Sequence, residues 1–254
     1  MWPMIGPIRT YGLLYFTGMI LHFVVGWRIA RRRGLRRRVW IAASVCYLLG
    51  MTFGAKILYD IRQGNFQAEA LLRAEHYQAG GLWGGLLVYF ALAVPLIPLL
   101  ARRRSDGLDL TAETVPIPWI AAKIGCFLNG CCHGRPCSLP WSVTFPEGAR
   151  GAPAGIPLHP SQLYEVGLMV MIVLVLATRR SDRWRGTKLL WFLILYGLGR
   201  AGTDFLRGDA ADQLHLGPLS LTQMLCLIAA VAALLALLWT SRPSNGPSQV
   251  GRSV

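Results

Sequence analysis

The run Arg31-Arg32-Arg33-Gly34-Leu35-Arg36-Arg37-Arg38 puts six arginines into eight residues, between two apolar stretches at 10–30 and 39–58. Each stretch has about the 20 residues that an α-helix needs to cross hydrocarbon. Further along, 81–101, 110–130, 162–178, 189–206 and 218–240 have comparable length, and each is again bounded by polar sequence. The expected fold is therefore all-α: a polytopic membrane protein of about seven transmembrane helices, with a single membrane domain at 1–240 and a polar tail at 241–254. Composition agrees. With 54% hydrophobic and 15% charged residues and a mean hydropathy of +0.43, the chain cannot cover a globule with a water-compatible surface. It is also too apolar to remain disordered.

The charge of +14 raises the question of a nucleic-acid partner, and its placement answers it. The segments 31–38, 102–104, 179–188 and the tail hold sixteen of the Lys and Arg residues, whereas the alternate segments hold six: Arg9, Arg62, Arg73, Arg135, Arg150 and Arg207. Basic residues stay on the cytoplasmic side of spanning helices. The amino terminus is thus expected outside and the carboxyl terminus in the cytoplasm. The arginine clusters become short loops facing anionic lipid, which excludes nucleic acid as a partner and leaves membrane lipids. The first span follows no basic leader and is expected to be retained.

Three spans carry polar groups that would be unfavourable against lipid and so should line an interior. Glu113, Pro116, Pro118 and Lys123 lie in 110–130, Gln162 and Glu165 open 162–178, and Arg200 and Asp204 lie in 189–206. In the expected topology Lys56, Lys123 and Arg200 fall late in inside-to-outside helices. Tyr11, the run Gly80-Gly81-Leu82-Trp83-Gly84-Gly85 and Glu165 open outside-to-inside ones. All then reach one level near the outer face. Buried cations repel unless an anion sits among them, which points to Glu165, Asp204 or a lipid phosphate. Two plainer readings compete: Lys56 snorkels to the interface, and Arg200 pairs with Asp204 four residues on. Trp83, Trp119, Trp141 and Tyr15 read as interfacial belt residues.

The stretch 125–137 (GCFLNGCCHGRPC) gathers four cysteines and a histidine. It lacks the spacing for haem attachment, and adjacent Cys131 and Cys132 are not expected to face one tetrahedral zinc, so no metal and no cofactor are assigned. A disulfide from Cys131 or Cys132 to Cys137 fits an oxidising compartment. Gly125, Gly130 and Gly134 permit turns and close backbone approach where a helix unwinds beside a polar cavity. His159, Gln162 and Glu165, spaced by three around Pro160, are expected along one face at the mouth of a span.

Taken together, GPIRTYGLLY (6–15), Gly54-Ala55-Lys56, Asp109, the Lys123 to Arg135 segment, HPSQLYE (159–165), YGLGR (196–200) with DFLR (204–207), and SLTQ (220–223) resemble landmarks of the prolipoprotein diacylglyceryl transferase family, in that family's order. The resemblance implies a bacterial cytoplasmic (inner) membrane enzyme with its site toward the extracytoplasmic leaflet. It would move the diacylglyceryl group of phosphatidylglycerol onto the thiol of a prolipoprotein lipobox cysteine and release glycerol 1-phosphate. The partners implied are phosphatidylglycerol and the signal peptide with its lipobox. The resemblance and the spans together nominate Tyr11, Glu165, His159, Arg200 and Asp204 as catalytic. They nominate Lys56, Lys123, Asn129, Gly134, Gln162, Arg200 and Arg207 as substrate-binding.

The chain departs from the family pattern at several positions. Lys123 and Lys56 stand where arginine is common, Cys126 where asparagine is common, and Asp204 where glutamate is usual. Trp83-Gly84-Gly85 replaces the family's His-Gly-Gly. Indole cannot serve as a base, so Glu165, His159 or His133 must take that role, or the activity has drifted. Two other readings remain: a divergent transferase with another acceptor or lipid, and a non-catalytic protein that binds anionic lipid or transports an anion. A transporter needs midplane groups reachable from both sides.

Overall fold

The computed structural model describes residues 4–5, 8–62, 64, 82–101, 104–178, 186–208 and 215–240. Nine α-helices lie within them: α1 (Thr10–Arg32), α2 (Arg37–Leu49), α3 (Ala55–Arg62), α4 (Leu82–Leu100), α5 (Arg104–Thr114), α6 (Pro116–Asn129), α7 (Ser161–Thr178), α8 (Lys188–Asp204) and α9 (Leu221–Thr240). Between α2 and α3 the helix widens into a π-turn, Gly50–Gly54. Three two-residue antiparallel hairpins interrupt the helices: Met4–Ile5 with Ile8–Arg9, Val143–Thr144 with Pro157–Leu158, and His215–Leu216 with Leu219–Ser220. The tail 241–254 lies outside the described residues.

Among the described residues four helical segments are long and apolar enough to cross a membrane: Thr10–Arg32, Arg37–Ile57, Ser161–Thr178 and Leu221–Thr240, with Gly84–Leu100 a shorter apolar helix. Their outward faces are greasy. Phe16, Ile20, Leu174, Ile228, Leu235 and Trp239 are each at least 60% exposed, a surface that suits lipid and not water. The expected span 110–130 is not one helix. Val115 makes the last bond of α5 to Thr111, and Pro116, which has no N–H, cannot continue that ladder and starts α6 instead. At 14 residues α6 is about 21 Å long, less than a hydrocarbon core.

The α5–α6 pair runs antiparallel to α1. His22 Nδ1 lies 3.1 Å from the Thr114 carbonyl, Gly18 meets Pro118 and Ala121, and a Cβ on Gly125 would lie 3.2 Å from Tyr11. Small residues at such contacts let helices approach backbone to backbone, the mode of association available where lipid removes the hydrophobic drive. Glu113 pairs with Arg33 and Lys188 at the Arg33 end of α1. At that end Asp109 also caps α8, accepting from the N–H groups of Gly186 (2.7 Å) and Lys188 (3.0 Å). The helix bundle therefore has two polar levels, and the second holds the candidate site.

Candidate active site

At the Tyr11 end of the bundle, five charged side chains form one buried net, none more than 8% exposed. Glu165, in the first two turns of α7, is the hub. Lys123 Nζ of α6 donates to its Oε1 at 2.7 Å, Arg207 Nη1 lies 3.5 Å from the same oxygen, and Arg200 Nε of α8 lies 3.8 Å from Oε2. Arg200 Nη1 also reaches Asp204 Oδ1 at 2.6 Å, and Ser220 Oγ donates to Asp204 Oδ2 at 2.5 Å. Ser220 closes a reciprocal cap on α9, its N–H donating to Gln223 Oε1 at 2.8 Å and its Oγ accepting from the Gln223 N–H at 3.1 Å. Such a box is the expected start for a helix opening Ser-Leu-Thr-Gln. Among the described residues three cations and two carboxylates meet here, and buried cations of this kind favour an incoming anion.

The loop beyond α6 lies beside the net. Gly130 (φ +81°) ends the helix in the left-handed region, the usual glycine stop. Beyond it the chain is stitched to its neighbours. Gly134 N–H donates to the His159 carbonyl (3.0 Å), Arg135 N–H to that of Leu206 (2.8 Å) and Gly208 N–H to that of His133 (3.0 Å). Gln162 Nε2 holds the Cys131 carbonyl at 2.8 Å and Ser161 Oγ the Cys132 carbonyl at 2.7 Å. The sulfur atoms of Cys126, Cys131 and Cys132 lie within 4.8 Å of one another. Hydrogen bonds from Cys126 and Cys131, followed by the charges of Lys123 and Arg207, hold the Cys132 thiol well below the ordinary cysteine range. Every cysteine is a free thiol, Cys137 included.

The structure brings Lys123, Glu165, Arg200, Asp204 and Arg207 together, with Gln162 buried beside them and Asn129 Nδ2 3.6 Å from Cys131 Sγ. Tyr11 stacks on Tyr15 and borders Gly125. Lys56 goes elsewhere. It is buried against Asp60, one helical turn on, at 2.7 and 2.8 Å, so it neither snorkels nor joins the net. His159, Gln162 and Glu165 do not share a face, because α7 begins only at Ser161 and His159 lies off its lattice. Its Nδ1 turns to the Tyr164 hydroxyl at 3.1 Å, which also accepts from Trp141 Nε1 at 2.8 Å. Both ring nitrogens of His133 face carbonyl oxygens at 3.0 Å, leaving neither directed at the net. Trp119, read as a belt residue, is buried edge-on against Tyr196 with Lys123 Nζ 6.0 Å from its ring. Gly80, Gly81 and the side chain of Trp83 lie outside the described residues.

Gly134 has a packing reason of its own. A Cβ there would sit 2.5 Å from the His159 carbonyl oxygen and 2.8 Å from that of Leu206. Gly134→Ala is expected to destabilise the protein by about 1–3 kcal/mol through overpacking, read as a lowered thermal midpoint in detergent. An unchanged midpoint would show that the three strands of chain can separate freely.

A groove of about 510 Å³ runs along the neighbouring face of α8, walled by Leu139, Trp141, His159, Tyr164, Gly199, Gly202, Thr203 and Leu206. Its wall is mostly apolar, as an acyl chain or apolar peptide requires. A second hollow of about 550 Å³, in the loop at Thr144–Glu147 and Ala154–Gly155, contains none of the net's residues.

Sequence reasoning missed Ser220 as a partner of Asp204; the Ser-x-x-Gln spacing at 220–223 is the signal that could have marked it as a helix start. It missed Asp60 as the partner of Lys56, although the spacing of four was visible. Cys131 and Cys132, which were not expected to face one tetrahedral zinc, hold their sulfur atoms within 4.8 Å of each other, with Cys132 at φ +59°.

Comparison with known proteins agrees with this arrangement. A family model described as prolipoprotein diacylglyceryl transferase matches residues 2–239. The chain is 32% identical to the phosphatidylglycerol–prolipoprotein diacylglyceryl transferase of Geobacter sulfurreducens, covering 94% of this chain and 93% of that one. It is 31% identical to the protein of that name from Methylococcus capsulatus, over 87% of each, and 30% identical to that of Cupriavidus metallidurans, over 98% and 95%. A match that runs over nearly the whole chain leaves one assignment: the chain belongs to the prolipoprotein diacylglyceryl transferase family.

Proposed function

We propose that this chain transfers the diacylglyceryl group of phosphatidylglycerol to the cysteine thiol of a prolipoprotein lipobox, releasing glycerol 1-phosphate. The observation that carries the reading is the buried convergence of Lys123, Arg200 and Arg207 around Glu165. The thiolate sulfur attacks the glyceryl carbon, the carbon–oxygen bond to phosphorus breaks, and the electron pair leaves on the phosphate. The departing phosphate gains a charge that fixed cations in a water-poor site stabilise strongly. Arg200 offers a planar fork for that phosphate and Lys123 a point charge. The net is closed to solvent, so the phosphodiester enters by displacing part of the Glu165 ion pairing. The apolar groove on α8 supplies a lateral path for chains that stay in lipid. The arginine distribution supports seven spans with the amino end outside and the carboxyl end cytoplasmic. In that topology the net would lie at the extracytoplasmic side of the bacterial cytoplasmic membrane, where lipobox peptides arrive.

Membranes containing the protein, supplied with phosphatidylglycerol and a lipobox peptide, are expected to yield peptide heavier by one diacylglyceryl group, detected by mass spectrometry. Phosphatidylglycerol turnover without peptide modification would move the acceptor assignment elsewhere. Absence of both would remove the enzyme reading.

A further inference from the structure

Three thiols converge on one point at the end of α6. Cys126 comes from the last helical turn, Gly130 reverses the chain, and Cys131 N–H returns to the Cys126 carbonyl at 3.2 Å. Cys132 is the only non-glycine residue at positive φ among the described residues, a conformation uncommon for a side chain of this kind. That backbone is what lets two adjacent cysteines point the same way. The loop is held from α7 by Ser161 and Gln162 and locally by Asn129, which donates to Cys131 Sγ.

In a tetrahedral zinc site with Zn–S near 2.3 Å, sulfur atoms are about 3.8 Å apart. Three sulfurs all within 4.8 Å of one another need little movement to reach that spacing. Three thiolates offer a soft donor set, and three protein ligands leave a fourth position for an exchangeable group, the arrangement of catalytic rather than structural zinc.

We propose that Cys126, Cys131 and Cys132 bind one zinc ion whose fourth position takes the thiol of the acceptor peptide. The acceptor part rests on the transferase reading above. The metal deprotonates a coordinated thiol, so the acceptor S–H proton passes to solvent and the sulfur becomes a nucleophile without a side-chain base. The sulfur pair then forms the bond to the glyceryl carbon as the carbon–oxygen bond to phosphate breaks, and the leaving electron pair stays on glycerol phosphate beside Lys123 and Arg207. No oxidant or reductant is needed.

The test uses the reduced full-length chain in detergent, titrated with Zn(II) and separately with Co(II), whose thiolate charge-transfer absorption reports sulfur ligation. One metal per chain is expected in the wild type and in Cys137→Ser. Affinity should be lower by roughly tenfold or more in Cys126→Ser and Cys132→Ser. A lipobox peptide should intensify the cobalt–thiolate bands, and the same peptide with serine for cysteine should not. Chelation should lower peptide lipidation about 100-fold, restored by Zn(II). The wild-type titration does not depend on any variant folding. Absence of Zn(II) and Co(II) binding, or binding of monovalent copper alone, overturns the metal site. Lipidation that continues unchanged in chelated protein overturns the proposal and leaves the transferase reading intact. Metal bound by the three cysteines without any lipidation overturns the acceptor role and counts against the transferase reading itself.

Discussion

Arg200→Ala is expected to abolish diacylglyceryl transfer, with kcat lower by about 100-fold or more, the effect of deleting a preorganised partner for developing anionic charge. The side chain is 2% exposed and bridges the two carboxylates of the net, 2.6 Å from Asp204 and 3.8 Å from Glu165. Its loss would remove the proposed phosphate ligand and also leaves Asp204 short of its counter-ion, which destabilises by about 3–5 kcal/mol when one member of a buried pair is cut away. Activity and thermal midpoint should therefore fall together. Arg200→Lys separates them: it keeps the charge, so the midpoint recovers most of its loss, yet an ammonium cannot reproduce the planar fork and transfer stays at least about tenfold down. Peptide lipidation measured beside thermal unfolding checks both. Full activity in Arg200→Ala would remove the phosphate clamp from the mechanism.

Glu165→Gln should carry a stability cost as large as that of Arg200→Ala. The carboxylate has Lys123 at 2.7 Å, Arg207 at 3.5 Å and Arg200 at 3.8 Å, so an isosteric amide leaves three buried cations with Asp204 as the remaining carboxylate of the net. A loss of about 3–5 kcal/mol is expected, seen as a lower thermal midpoint in detergent. Inorganic phosphate should raise the midpoint of the variant more than that of the wild type, because an anion that binds only the folded protein stabilises it by mass action and the variant has the greater excess of positive charge. Equal midpoints with and without phosphate in both proteins would mean that the net does not accept anions.

Much of the architecture could be read before any coordinates. Hydrocarbon tolerates almost no unpaired backbone, so a spanning segment must be helical and betrays itself by length and composition alone. The helical segments accordingly fall within a few residues of the expected spans at 10–30, 162–178, 189–206 and 218–240. The exception, 110–130, fails for a local reason, the missing N–H of Pro116, which hydropathy does not register. Lys123, Glu165, Arg200 and Asp204 were recognisable as interior groups because charge in a span is too costly to face lipid. Glu165 and Asp204 were also legible as counter-ions, and the Arg200–Asp204 pair was legible from its spacing of four; which cations of other helices meet Glu165 was not, since ion pairing between helices depends on rotation and register that no single helix encodes. Lys56 shows the limit: its span position matched that of Lys123, and only the neighbouring Asp60 decides that it is spoken for within its own helix.

Amino-acid order by itself settled that this chain is a helical membrane protein of the diacylglyceryl transferase family, because transfer free energies and arginine placement act on segments one at a time and the family landmarks recur in series. Tertiary structure alone decided which charges meet. Gly134 and Gly125 let backbones touch, Glu165 gathers cations from α6, α8 and the loop after it, and the left-handed Cys132 turns neighbouring thiols to one point. Those outcomes depend on distances of a few ångströms between residues tens of positions apart in the chain. Coulombic and ligand chemistry follow that spacing, not the order of residues.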